Sequence, residues 1–194
     1  MSGKAWPENL AGMDLDEFLR RAEELHGHLS PGVVAGGFML DKALKSYEPG
    51  EFLNAVVETV VCLPDAVQIL TQCTLGNGFM QVLDWGKFAI TLYDRQKLNG
   101  MRVWLDPEAV RTNEIVASWY LRSSGNGKVD KEVVIRELLS CGGELVQAVP
   151  VTLDVALKST EKVPTGICVD CGESYPLRQG ERCYTCQGQG YYSQ

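Results

Sequence analysis

The chain has 194 residues, 45% of them hydrophobic and 22% charged, with a formal net charge of −7. That length supports one substantial core and a small appendage, and the negative balance argues against a broad nucleic-acid footprint, which needs clustered Lys and Arg to displace counterions. The opening MSGKAWPENLAGMDLDE carries no apolar run resembling a signal peptide, and no later stretch approaches a membrane span; a cytoplasmic setting is expected, where seven cysteines read as reduced thiols and metal ligands rather than disulfides.

Taken in chain order, Asp14 is placed to cap a helix, with Glu17 three residues on and Leu15, Phe18, Leu19, Ala22 and Leu25 on one face. Ser30-Pro31 opens a second helix running through Val33, Val34, Phe38, Met39 and Leu44. The β-branched stretch from Phe52 to Val61 predicts a buried strand. Pro64 then starts a short helix, Asp65 to Cys73, closed by the glycine-rich TLGNG. Phe88, Ile90 and Leu92 alternate with Ala89, Thr91 and Tyr93. With RQKLNG and the strand at Met101, Val103 and Leu105 they form an antiparallel hairpin. Asp106-Pro107 is an N-cap and first-turn proline for a helix to about Leu121. A further helix, Asp130 to Cys141, ends at Gly142-Gly143, and AVPVTL returns as a strand. Helices around an antiparallel sheet indicate an α+β fold. The polar KSTEKVPTG, Lys158 to Gly166, separates a core domain, 1–160, from a small tail, 164–194.

The tail carries two Cys-x-x-Cys pairs, Cys168 with Cys171 and Cys183 with Cys186. Four thiolates so spaced converge on one tetrahedral cation, most often structural zinc. Gly172, just after the first pair, suits a turn that needs positive φ. With only Ile167, Val169, Leu177 and a few tyrosines as apolar material, the tail depends on metal for its folding free energy. Arg178 and Arg182 stand beside Asp170, Glu173 and Glu181, so no basic stripe marks the tail as a nucleic-acid reader.

The core holds a second cluster. The chain's two histidines flank Gly27 as His26 and His28, and in an extended segment both would point the same way. A histidine ending a helix is also favourable through the macrodipole alone, so both readings stand. Cys62 and Cys73 flank the short helix, whose Asp65 and Gln68 share a face. Cys62, ending an apolar strand, and Cys141 read as small buried hydrophobes. Cys73, beside the glycine-rich turn, sits where backbone N–H groups can lower a thiol pKa. Ser30 reads as an N-cap rather than a nucleophile.

The strings HGHLSPGVVAGGFML, VVETVVCLPDAVQILTQCTLGNG and WGKFAITLYDR resemble the motifs of the FmdE family of formylmethanofuran dehydrogenase proteins, and CVDCGE…CYTC resembles the treble-clef zinc finger that some members carry. The resemblance implies an intertwined homodimer and a link to the molybdenum or tungsten enzyme that reduces carbon dioxide onto methanofuran in methanogens. It further implies a core site built from His26, His28, Cys62 and Cys73, holding a second transition-metal ion. Two positions depart from the family pattern: Ser30 stands where a cysteine is usual, and Gln72 where a glycine is usual before Cys73. The expected function is a metal-binding accessory protein, with a protein partner reached through the zinc finger. The alternatives are a small metal- or thiol-dependent enzyme using His28 and Cys73, or a zinc-finger regulator binding protein or nucleic acid.

Overall fold

The computed structural model describes residues 5–121, 129–154 and 163–192. The chain divides into two compact units, Met1–Leu157 and Lys158–Gln194. Part of the expected linker, 158–162, lies outside the described residues.

The first unit opens with a small ladder, β1 (Asn9–Leu10) against β2 (Met13–Asp14). It leads into α1 (Leu15–His26), where Asp14 Oδ1 accepts the Glu17 N–H at 3.1 Å and Gly27 ends the helix with φ 81°. Leu15, Phe18 and Ala22 are buried, whereas Leu25, expected on the same face, is exposed. Helix α2 (Pro31–Leu44) has eleven buried residues, from Pro31 to Ala43. Such a helix, apolar nearly all round, has to be enclosed. It packs against strands of the central sheet and against α3 (Leu63–Leu70) and α6 (Lys131–Cys141).

The sheet has five strands in the order β4-β3-β5-β6-β7: β3 is Leu53–Val57, β4 Met80–Val82, β5 Ala89–Asp94, β6 Asn99–Leu105 and β7 Val146–Thr152. The expected hairpin pairs Ile90 with Val103 and Leu92 with Met101, and the returning strand pairs Ala148 with Val103. All neighbours are antiparallel except β3 and β4, which run parallel with Ala55 opposite Met80. The short β4 carries too little pattern to be read from the sequence.

Three expected elements are shorter than predicted. The strand expected to Val61 ends at Val57, because the chain then turns Glu58 inward, where Arg102 donates to it through Nε (2.6 Å) and Nη2 (2.9 Å). Val60 and Val61 are exposed. The helix expected to reach Cys73 stops at Leu70, where Thr71 is extended and its hydroxyl donates to Val67 O at 2.7 Å. The single helix expected after Asp106-Pro107 is two, α4 (Pro107–Arg111) and α5 (Glu114–Tyr120). Asn113 breaks it by accepting the Val116 N–H as a fresh N-cap, while its amide donates to Glu137 at 2.6 Å. A short polar side chain that can cap competes with helix continuation. Among the described residues, no helix is long and apolar enough to cross a membrane.

In the second unit, β8 (Thr165–Ile167) and β9 (Ser174–Pro176) form a hairpin with Gly166 opposite Tyr175. Its buried centre is Cys168, Tyr175 and Cys183, and Tyr175 donates its hydroxyl to Gly180 O at 2.9 Å.

The Glu58–Arg102 pair is bidentate and the carboxylate is almost wholly buried. Arg102→Met leaves that carboxylate unpaired, and a loss of about 3 kcal/mol is expected in urea unfolding at neutral pH.

Candidate functional site

The tail cysteines converge. The sulfurs of Cys168, Cys171, Cys183 and Cys186 all lie within 4.8 Å of one another, and Cys171 Sγ is 3.8 Å from Cys183 Sγ. With a Zn–S bond of about 2.3 Å, the edge of a tetrahedral sulfur cage is about 3.8 Å. The donor set and its spacing therefore fit zinc. The knuckle is held by Cys168 N–H to Glu173 O (2.8 Å) and Gly172 N–H to Cys168 O (2.9 Å), with Gly172 at φ 74°. Backbone N–H groups, that of Cys183 first and then those of Cys171 and Asp170, draw the Cys168 thiol down to about 6. Cys186 is pushed upward, first by its bond to Cys183 and then by burial. Four sulfurs this close cannot all carry charge without a cation among them, and a bound ion removes that conflict. Arg182 Nη1 donates to Asp170 at 3.0 Å, tying the two knuckles together.

The core places its chemistry where the N-terminus of α2 meets the turn from β3 into α3. Cys62 is the N-cap residue of α3, at φ 59° and ψ −46°, and Leu63 N–H closes a tight turn onto Val61 O at 2.6 Å. A non-glycine residue in this three-residue turn is strained. His26 Nε2 is 3.9 Å from Cys62 Sγ, and His26 Nδ1 is 2.6 Å from Asp65 Oδ2. With the Asp65 carboxylate accepting from Nδ1, the neutral tautomer of His26 presents Nε2 as an acceptor toward the thiol. Ser30 Oγ is 3.4 Å from the same sulfur. Ser30 occupies the N-cap position of α2 but makes no side-chain cap bond; its hydroxyl meets Cys62 instead, against the expectation. Gly32 admits this approach, because a Cβ there would stand 2.7 Å from both Cβ and Sγ of Cys62. Beside Ser30 and Cys62 lies a cleft of about 550 Å³, lined also by Asp84, Phe88, Trp119 and Tyr120. Phe88 meets the two other rings edge-on at 6.2 and 5.9 Å.

The expected core set is only partly assembled. His26 and Cys62 meet, and His28 stacks obliquely on His26 with ring centroids 5.0 Å apart, lining a different cleft with Trp6, Leu19, Ile135 and Leu139. Cys73 stands beyond the far end of α3, buried, with its thiol donating to Leu53 O at 3.1 Å. Burial raises its pKa and outweighs the opposing pull of the Thr71 hydroxyl, so the glycine-rich turn does not activate it. Among the described residues, the tail cysteines are the one group of three or more His, Cys, Asp or Glu gathered tightly enough for an ion. Cys141, half-buried, donates to Glu137 O at 3.1 Å as an inert helix residue. Gln68 lies along the surface with Arg21, Glu24 and Ile69. Sequence reasoning missed the cleft walls Asp84, Phe88, Trp119 and Tyr120, which carry no local spacing signal. From its local pattern Cys62 read as plain core, and the family resemblance alone placed it in a site, because positive φ at a cysteine has no sequence mark.

Residues 25–153 match the family described as FmdE, molybdenum formylmethanofuran dehydrogenase operon, and residues 159–193 match the FmdE treble clef zinc finger. The chain is similar to a crystal structure of a tungsten formylmethanofuran dehydrogenase FmdE-like protein from Syntrophus aciditrophicus, at 35% identity and a TM-score of 0.86, covering 100% of each chain. It is also similar to a probable S-adenosyl-L-methionine-binding protein of Archaeoglobus fulgidus, 40% identical over 105 residues. That match takes in 50% of this chain but only 29% of the relative.

Because the Ser30 hydroxyl caps nothing, Ser30→Ala is expected to cost less than about 0.5 kcal/mol in chemical denaturation, against the ~1 kcal/mol typical of a lost N-cap.

Proposed function

The chain belongs to the FmdE family and carries that family's treble-clef zinc finger, and on this footing we propose that it is a metal-binding accessory protein of molybdenum- or tungsten-dependent formylmethanofuran metabolism. The convergence of Cys168, Cys171, Cys183 and Cys186 is the observation that carries the metal-binding half. The link to one-carbon metabolism is supported by the family's name and by the FmdE-like structural relative. The zinc is structural: four sulfurs close the coordination shell, leaving no open position for a substrate.

The core is read as a thiol–imidazole site rather than a second metal cage. Of the four ligands expected there, His26 meets Cys62 and His28 lies against His26, but Cys73 stands apart and no three of them gather as a cage. The partners proposed are a second copy of this chain and, through the zinc finger, another protein. The exposed Val60, Val61 and Trp85 supply apolar surface for the former. The setting proposed is the cytoplasm, and the net charge of −7 disfavours nucleic acid.

Elemental analysis of purified protein is expected to find one zinc per chain, lost in Cys183→Ser and kept in His26→Ala. A second ion per chain that disappears in His26→Ala would restore the core metal. In light scattering the protein is expected to run as a dimer. Chelation is expected to remove the protection of tail amides in hydrogen exchange while core amides stay protected, since binding supplies about 10–16 kcal/mol to small zinc modules.

A further inference from the structure

We propose that Cys62, His26 and Asp65 form a nucleophile–base–orienter triad, and that the cleft beside Cys62 binds an activated acyl compound, an ester or thioester, which acylates Cys62. The reading goes beyond the accessory role and does not depend on the zinc.

Each part has its place. Asp65 holds the imidazole through Nδ1 at 2.6 Å, which fixes the tautomer whose Nε2 can take a proton. Cys62 Sγ lies 3.9 Å from that nitrogen, at the loose end of reach for sulfur, and such contacts tighten when substrate excludes water. The sulfur sits at the N-terminus of α3 and against that of α2, two positive helix ends that meet negative charge there. In the first turn of α2, Val33 and Val34 both donate back to Ser30 O. Gly32 is left as the first-turn amide without an intrahelical partner, and Gly32 lines the cleft. A nucleophile and a helix-terminal residue on one cleft, with an oriented base against the same sulfur, are the parts that acyl transfer requires. The strained backbone at Cys62 is over-determined by the packing of Gly32 upon it, a pattern that marks functional positions.

The lining selects the substrate class. Three aromatic rings suit a flat apolar portion. Among the described residues lining the cleft, Asp84 is the one charged group, so a neutral or cationic ligand fits better than a phosphate or carboxylate. In the step itself, Sγ bonds to the carbonyl carbon as the thiol proton passes to His26 Nε2. The carbon–leaving-group bond then breaks, the leaving group takes that proton, and an acyl thioester remains on Cys62. Water or an amine attacks the thioester, the acyl group departs, and the sulfur recovers its proton. No redox change occurs.

The test uses the zinc-loaded full chain with p-nitrophenyl acetate as probe. A burst of one p-nitrophenolate per chain is expected, with the acetyl group located on Cys62 by peptide mass mapping. His26→Ala is expected to slow acylation by about 100-fold, with added imidazole restoring part of the rate. Asp65→Asn is expected to slow it as well, and Asp65→Glu to recover part of the loss. Cys141→Ser is expected to react like the wild type. Unchanged zinc content and melting temperature in each variant separate failure of chemistry from failure of folding or of the metal-binding assignment. Acetyl groups spread over Cys141 and other residues, no acetylation at all, or a His26→Ala rate equal to wild type would overturn the triad. Cys62→Ser is expected to give no burst; if it does not fold, the His26→Ala rate and its imidazole rescue decide the matter.

Discussion

Helix α2 is apolar on nearly every side, from Pro31 to Ala43, and its enclosure organises the larger unit. A helix of this kind is stable in water only if other elements cover it completely. The sheet strands, α3 and α6 do so. The fit is close enough that a methyl group added at Gly36 would stand 2.6 Å from Ala66 Cβ. The same enclosure puts the N-terminus of α2 against the turn that follows β3, and so makes the core site a by-product of covering the helix.

At that junction the structure trades local stability for geometry. Ser30 is in the position of a helix cap and does not cap; Cys62 is in a backbone conformation that glycine would adopt at lower cost. Neither choice stabilises the fold. Both bring polar atoms to one sulfur, and His26 and Asp65 complete the arrangement from α1 and α3. Departures from local preference gathered within a few ångströms around a thiol are better explained by chemistry than by packing.

The small unit follows a different economy. Its buried centre amounts to Cys168, Tyr175 and Cys183, far too little apolar area to order some thirty residues by burial alone. Ile167, Val169 and Tyr191 are exposed instead. A zinc ion among the four cysteines would therefore be a structural member, with the sulfur atoms serving as both core and ligand.

The features legible in the sequence alone were those encoded within a few residues of one another. The cysteine knuckles, the Asp14 and Asp106 caps, and the strands of the hairpin all rest on spacings of two to four positions, which backbone geometry converts directly into structure. The three blocks HGHLSPG, VVCLPDA and WGKFAITLYDR also marked the family correctly. Only the tertiary structure could decide which of the candidate core residues meet. His26 and Asp65 are 39 positions apart, and His26 and Cys62 36; their union depends on how α1, α2 and α3 pack, as does the separation of Cys73 from them by the length of α3. The break at Asn113 and the parallel β4 belong to the same class. Their local signals were weak, and contacts made across the fold settled the outcome.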